Sequence, residues 1–167
     1  MYRQMIIDLK WYEFFAAAST GILRKSQSIA NEHKDAYGLV FNPVEDVGWQ
    51  VVSAASEMAC SSALNRYYSH SVNTFSAADI GKNIEVKCQM HHKIDRNKNS
   101  NYLIMRENMN SDYYYILVLC HSLTRYEVLG YIKGADGKKQ EWQTSVGNRP
   151  PFYKVPLSAL TPIEVIQ

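Results

Sequence analysis

The chain has 167 residues, with 18 Lys and Arg against 16 Asp and Glu, 46% hydrophobic residues and 20% charged residues. This composition is typical of one ordinary globular domain and excludes a disordered, collagenous or coiled-coil chain. The net charge of +2 is too small to indicate a nucleic-acid partner by itself, because such partners usually leave a strongly basic footprint. Any binding of phosphate groups must therefore come from local clusters of Lys and Arg.

The first forty residues carry apolar side chains at a spacing of three to four, which predicts a helical N-terminal region. Asp8 is a candidate cap for its start, and Asn42-Pro43 marks its latest possible end. A second helix is predicted from about Ser53 to Tyr68, with Ser53 as its N-cap. Glu57 would then lie in the first turn of that helix, where the helix dipole favours an acid whatever the protein does.

From Thr74 onward the period changes to that of extended chain, and five strands are predicted at 74–79, 84–90, 102–107, 113–120 and 125–132. The fourth is apolar on both faces, so we expect it to be central and covered on both sides. Helices followed by strands predict an α+β or α/β three-layer fold, with a central mixed β-sheet flanked by helices. The tail adds an extended piece at 152–155 and a helical turn at 156–160.

No linker divides the chain, so we expect a single domain. Within it, residues 1–48 form the helical N-terminal region, 49–132 the core and 133–167 a C-terminal extension.

The three cysteines are far apart and form no CxxC pair, which predicts free thiols rather than a disulfide framework or a zinc site. The longest apolar runs are far shorter than the ~20 residues that cross a bilayer. The N-terminus also lacks the pattern of a signal peptide. We therefore expect a cytoplasmic protein with no membrane partner.

Two acids and a lysine form the most informative pattern in the chain. In the strand predicted at 84–90, Glu85 and Lys87 alternate with apolar residues and share one face. Asp79 precedes them across a short piece that contains the Gly and Asn of a tight reversal, so a hairpin would bring Asp79 close to Glu85. Two neighbouring carboxylates repel unless a cation lies between them, and Mg²⁺ or Mn²⁺ is the natural hard cation. Lys87 would orient an attacking water or stabilise charge at a phosphorus centre.

The order of these residues resembles the PD-(D/E)XK, or restriction-endonuclease-like, nuclease superfamily. The resemblance covers roughly Trp49 to Ile132, with Asp79 to Lys87 at its centre and Ala78 where the motif has proline. It implies metal ligation by Asp79 and Glu85, with Lys87 as the catalytic lysine. It also implies that Glu57 is the carboxylate contributed by the first core helix, which supports the metal or its water shell, and that Gln89 is the catalytic-site glutamine that follows the lysine in some members. Later segments are similar to small phage-type proteins that carry this motif.

A basic segment follows the strand that carries Glu85. Its default interpretation is a solvated loop. In the functional interpretation Lys93, Arg96 and Lys98 contact backbone phosphates near the metal. Candidates for a second contact region are Lys138, Lys139, Arg149 and Lys154.

The leading hypothesis is a divalent-metal-dependent nuclease that hydrolyses DNA phosphodiester bonds by metal-assisted attack of water. The first alternative is a non-catalytic nucleic-acid-binding or phage accessory protein with the same fold. A more distant alternative is a protein-interaction module in which Asp79, Glu85 and Lys87 form only a surface hairpin, with an ion pair worth under ~1 kcal/mol. The sequence leaves DNA and RNA both open, and a homodimer is a candidate assembly because small nucleases often pair to cut both strands.

Overall fold

The computed structural model describes residues 5–32, 42–72, 76–91 and 102–165. The strands in these ranges are β1 (Met5–Asp8), β2 (Ile84–Met90), β3 (Tyr102–Arg106), β4 (Tyr114–Cys120), β5 (Arg125–Lys133), β6 (Gln143–Thr144) and β7 (Phe152–Pro156). The helices are α1 (Trp11–Ala30), α2 (Pro43–Ala63) and the single turn α3 (Gly134–Gly137). Short 3₁₀ turns occupy Gln140–Trp142, Leu157–Ala159 and Ile163–Val165.

The main sheet has the strand order β1-β5-β4-β2. Strands β2 and β4 are parallel, with Ile84 opposite Tyr114, whereas β4–β5 and β5–β1 are antiparallel. Strand β4 is interior and buried along nearly its whole length, as the two apolar faces of its sequence predict. The mixed sheet and its two N-terminal helices confirm the predicted α+β class.

The main sheet separates two apolar layers. One face packs on the helices, where Ile116 and Val118 of β4 meet the alanines and Cys60 of α2. The other face packs on a second sheet of order β3-β7-β6, where Tyr115 and Leu117 meet Leu103 and Val155. Strand β2 is at the edge of the main sheet within the described residues, which leaves its outward backbone groups to other partners.

Helix α1 is continuous through Gly21, which lies where the backbones of the two helices are in contact. A Cβ atom at position 21 would lie 2.4 Å from the carbonyl oxygen of Gln50 on α2. Only glycine permits this approach of the backbones, so Gly21 does not interrupt the helix. Lys10 is the N-cap of helix α1, and its amide donates to the Glu13 carboxylate at 2.6 Å, whereas Asp8 ends β1 and pairs with Arg125.

The predicted start of the second helix is wrong by about ten residues. Asn42 is its N-cap and accepts a hydrogen bond from the amide of Val44, and Pro43 occupies the first helical position. Asn-Pro was interpreted as the end of one helix, but the same dipeptide is also typical of the beginning of the next. Glu57 therefore lies well inside α2 and is not explained by the first turn of a helix.

The strand predicted at 74–79 is absent from residues 76–79, which form a turn and a bend. A single bridge between Ile80 and Ile84 replaces the predicted hairpin. Gly81 takes a φ of 61° in the reversal, a conformation that glycine adopts without strain. The reversal still returns the chain so that Asp79 faces β2.

All three cysteines are free, as predicted. Among the described residues, no helix is long and apolar enough to span a membrane.

Candidate active site

Strand β2 presents two polar side chains to the space between the two sheets. Val86 is buried against the helices, and Cys88 packs on the same core. Glu85 and Lys87 point to the opposite face, where the Lys87 ammonium donates to Glu85 Oε2 at 3.1 Å. Their side chains stay 21% and 34% exposed, respectively, so both are accessible to a ligand. This is the alternation that the sequence predicted.

Asp79 is held on the open edge of β2. Its Oδ2 atom accepts a hydrogen bond of 2.7 Å from the backbone amide of Val86. In the parallel register with β4, this amide points away from the sheet and has no strand partner among the described residues. The carboxylate therefore satisfies an edge donor and is fixed at the start of β2.

The surroundings of Asp79 oppose its negative charge. Burial and, after it, the neighbouring Glu57 and Glu85 carboxylates together raise the pKa of Asp79 to about 7, against weaker opposing effects of the Val86 amide and Lys87. Burial followed by Glu85 also raises the pKa of Tyr115 to about 12, which shows that the negative charge extends across the start of β2 and β4. A cation bound nearby would therefore favour the ionised form of Asp79.

Glu57 approaches the same position from α2, but it is already neutralised. It is 3% exposed, and both of its oxygens accept from the Arg24 guanidinium at 2.7 and 2.8 Å. The Tyr68 hydroxyl donates a further bond of 3.0 Å to Glu57. Burial alone would lower the pKa of Arg24, yet the Glu57 carboxylate raises it far above its ordinary value. This bidentate pair is the strongest polar contact that the structure gives to the candidate site.

The structure gives the remaining predicted residues different positions. Gln89 continues the polar face of β2, but its amide donates to the backbone carbonyl of Tyr102 at 2.9 Å and so ties β2 to β3. Lys93, Arg96 and Lys98 lie outside the described residues. Of the second basic group, Lys138 donates to the carbonyls of Glu107 and Met109, which gives it a structural contact.

Arg24 and Tyr68 are members of the site that sequence reasoning missed. Arg24 is 33 residues from Glu57 in the chain. It lies in a helix that is predicted from the spacing of its apolar residues, which says nothing about the role of Arg24. No local motif links an arginine on one helix to a glutamate on another. Only the packing of α1 on α2 brings them together.

Asp79, Glu85 and Lys87 therefore lie around the start of β2, with Glu57 behind them. The described residues contain no group of three or more His, Cys, Asp and Glu side chains arranged to hold a metal ion. The two carboxylates Asp79 and Glu85 are nevertheless the donor set that fits Mg²⁺, which binds through one or two carboxylates and completes its shell with water and substrate phosphate.

Comparison of the chain with protein-family models, with curated proteins and with solved structures finds no significant match to any of them. The resemblance to the PD-(D/E)XK superfamily consequently rests on the motif residues alone.

Proposed function

We propose that the protein is a divalent-metal-dependent nuclease whose centre is the start of β2. The observation that supports this proposal is the position of Asp79, which is fixed on the Val86 amide and is destabilised as an anion by burial, Glu57 and Glu85. Three acids, Glu57, Asp79 and Glu85, meet two cations, Arg24 and Lys87. The cluster carries one negative charge in excess when Asp79 is ionised.

Asp79 and Glu85 would hold the Mg²⁺ or Mn²⁺ ion. When bound, the ion supplies Lewis-acid stabilisation of the charge that develops on the phosphoryl oxygens. Arg24 holds Glu57 rigid, so Glu57 acts from behind as a fixed negative charge. The Val86 amide fixes one oxygen of Asp79 and leaves the other for the ligand.

Lys87 supplies the positive charge that faces the substrate. Its ammonium lies on the exposed face of β2, bonded to Glu85 and 5.9 Å from the centre of the Tyr115 ring. From there it can position the attacking water or stabilise the negative charge on the scissile phosphate. The oxygen of water forms a bond to phosphorus and the water gives up a proton to solvent, while the bond from phosphorus to the leaving sugar oxygen breaks and that oxygen takes up a proton from solvent.

Single-turnover cleavage of labelled DNA and RNA, in millimolar Mg²⁺ or Mn²⁺, tests this function. The parent protein should cleave one of them, and Asp79→Asn and Glu85→Gln should lose both cleavage and the calorimetric heat of metal binding. Lys87→Ala should lower the rate about 100-fold or more with little change in affinity for nucleic acid. Lys10→Ala is the control, because Lys10 is an exposed lysine just before α1 and belongs to neither of the candidate phosphate-contact regions.

Absence of both metal binding and cleavage in the parent would contradict the catalytic proposal. If the parent binds nucleic acid without cleaving it under any of these conditions, the non-catalytic alternative becomes the better account. Lys10→Ala should behave as the parent does in either case.

We also propose a homodimer, and the support for it is the surface of α1. This helix exposes a stripe of six large apolar side chains, Trp11, Tyr12, Phe15, Ile22, Leu23 and Ile29. At roughly 150–250 Å² for a large aromatic side chain, the exposed parts amount to on the order of 600–700 Å². That approaches the ~800 Å² that each partner contributes to an interface of standard size. A two-fold axis would let one stripe cover another copy of itself.

Sedimentation analysis of the full chain tests this assembly. The parent should sediment as a dimer, and the double variant Phe15→Glu/Ile22→Glu should sediment as a monomer. Tyr67→Glu is the control, because Tyr67 is equally apolar and 82% exposed but lies outside the stripe. A parent that stays monomeric at high concentration would overturn the dimer and leave the nuclease proposal intact.

A further inference from the structure

A cavity of about 380 Å³ opens beside the end of β5, away from the acids of β2. Its size falls in the range of small-molecule sites. Six side chains give it its chemistry: Tyr114, Tyr131, Lys133, Asp136, Lys139 and Trp142. Nothing in the proposed catalytic mechanism uses any of them.

Aromatic rings line this cavity. Tyr114 and Tyr131 form an edge-to-face pair, with ring centres 5.7 Å apart and planes at 75°. Trp142 belongs to the 3₁₀ turn that follows α3 and is half-buried. Flat aromatic walls of this kind bind flat aromatic ligands by stacking.

Two lysines and one acid complete the lining. The Lys139 ammonium lies 4.7 Å from the centre of the Trp142 ring. Neither Lys133 nor Asp136 forms an ion pair or a side-chain hydrogen bond with any residue that the structure describes. The cavity therefore offers aromatic surface, two positive charges for an anion, and one carboxylate that accepts N–H groups.

The cavity and the candidate active site share one end of the main sheet. The Tyr114 amide donates at 2.8 Å to the carbonyl of Asn83, which lies between Asp79 and Glu85 in the chain. Tyr114 is also the register partner of Ile84, the residue before Glu85. Neighbouring strands are about 4.8 Å apart, so the backbone of Tyr114 lies one strand from the proposed metal ligands, while its side chain packs on the face of the sheet opposite to Glu85. A nucleotide chain can span that separation.

We propose that this cavity binds one unstacked base of a single-stranded nucleic acid whose backbone crosses the start of β2. The base stacks on the aromatic walls, Lys133 and Lys139 contact the flanking phosphates, and Asp136 accepts from an amino group of the base. The inference rests on the proposed function and gives it a substrate class: nucleic acid with unpaired nucleotides. The Asp136 carboxylate favours bases with an exocyclic amino group over thymine and uracil.

Fluorescence titration tests the cavity without requiring cleavage. A single-stranded oligonucleotide of about ten nucleotides, carrying 2-aminopurine, is titrated in EDTA against the full chain. It should bind at least about 10-fold more tightly than the duplex of the same sequence. Trp142→Ala should weaken this binding about 5- to 150-fold, the range expected for the loss of one base–aromatic stack.

Replacing the polar groups should give separate effects. The double variant Lys133→Ala/Lys139→Ala should reduce the salt dependence of binding by about 1.4 in slope, because each lost phosphate contact removes about 0.7 for a single strand. Asp136→Asn should reduce the preference for oligo-dC over oligo-dT. Trp49→Ala is the control for tryptophan loss, since Trp49 is half-buried like Trp142 but lies on α2 and does not line the cavity.

Equal binding of the parent, Trp142→Ala and the double lysine variant would overturn the inference, even if the parent cleaves DNA in Mg²⁺. Tighter binding of the duplex would overturn it as well. Circular dichroism identifies a Trp142→Ala protein that fails to fold, and the lysine variant then decides the outcome, because Lys139 is exposed and Lys133 is half-buried. The nuclease proposal has its own test. It is overturned if the parent neither binds the metal nor cleaves nucleic acid.

Discussion

Glu57 and Asp79 are neighbouring acids with opposite environments. Glu57 is more deeply buried, yet a bidentate arginine and a tyrosine hydroxyl compensate its charge. Among the described residues, the Asp79 side chain accepts a hydrogen bond only from a single backbone amide, and two other carboxylates repel it. Depth of burial alone therefore does not identify a functional acid. The balance between a charge and its partners distinguishes the compensated acid, Glu57, from the uncompensated acid, Asp79, to which we assign the proposed cation.

The largest expected effect comes from removing the partner of Glu57. Arg24→Ala leaves a buried carboxylate without its cation, and we expect the free energy of unfolding to fall by about 3–5 kcal/mol. Urea denaturation measures this loss. Lys25→Ala is the matched control, since the neighbouring Lys25 pairs with Asp46 on α2 at a more exposed position, where about 1 kcal/mol or less is expected. Equal losses in the two variants would remove the distinction between Glu57 and an ordinary surface acid.

Asp79→Asn should raise the free energy of unfolding, whereas Arg24→Ala should lower it. Asparagine keeps an oxygen that accepts from the Val86 amide but removes the repelled charge. The rise in the pKa of Asp79 from 3.8 to about 7 corresponds to at most about 4 kcal/mol, and partial solvent contact reduces this. We expect the variant to be about 2 kcal/mol more stable at pH 8 and to gain no stability from Mg²⁺. Asp112→Asn, at an exposed position, should change neither quantity.

The pH dependence of stability sharpens the same comparison. Between pH 4 and 7 the folded protein retains a proton on Asp79 that the unfolded chain has released, because the folded pKa is the higher one. Stability is therefore lost as the pH rises through this window and stays level above it. Subtracting the Asp79→Asn profile from that of the parent isolates about 2 kcal/mol of this loss. A difference that is flat with pH would show that Asp79 is ionised throughout.

The smallest expected effect concerns Gln89, which the resemblance assigns to catalysis. Its amide bonds to the Tyr102 carbonyl, so Gln89→Ala should lower the free energy of unfolding by about 1 kcal/mol. Cleavage should fall less than for Lys87→Ala, because the side chain is already engaged between β2 and β3. Thermal unfolding and single-turnover rates measure the two effects. A cleavage loss as large as that of Lys87→Ala would place Gln89 in the chemistry.

Strands β2 and β4 could be predicted from the sequence, because alternation is a local property, whereas β1 lies within the region predicted as helical and the strand predicted at 74–79 is absent from residues 76–79. Strand β2 begins and ends where predicted, at Ile84 and Met90, and β4 is central because both of its faces are apolar. The polar face of Glu85 and Lys87 follows from the same period of two. The start of α2 was mispredicted because Asn-Pro is compatible with both the end and the beginning of a helix, and the surrounding sequence does not choose between them.

The sequence by itself thus determined the fold class, the register of alternation in β2 and the order of Asp79, Glu85 and Lys87 along the chain. Only the tertiary structure decided that Arg24 on α1 neutralises Glu57 on α2, and that Tyr114, Lys133 and Trp142 enclose one cavity. The physical reason is the distance along the chain over which each effect acts. Side-chain direction follows from backbone geometry within a few residues, whereas compensation of a buried charge and the closing of a cavity depend on contacts between segments that are distant in the chain.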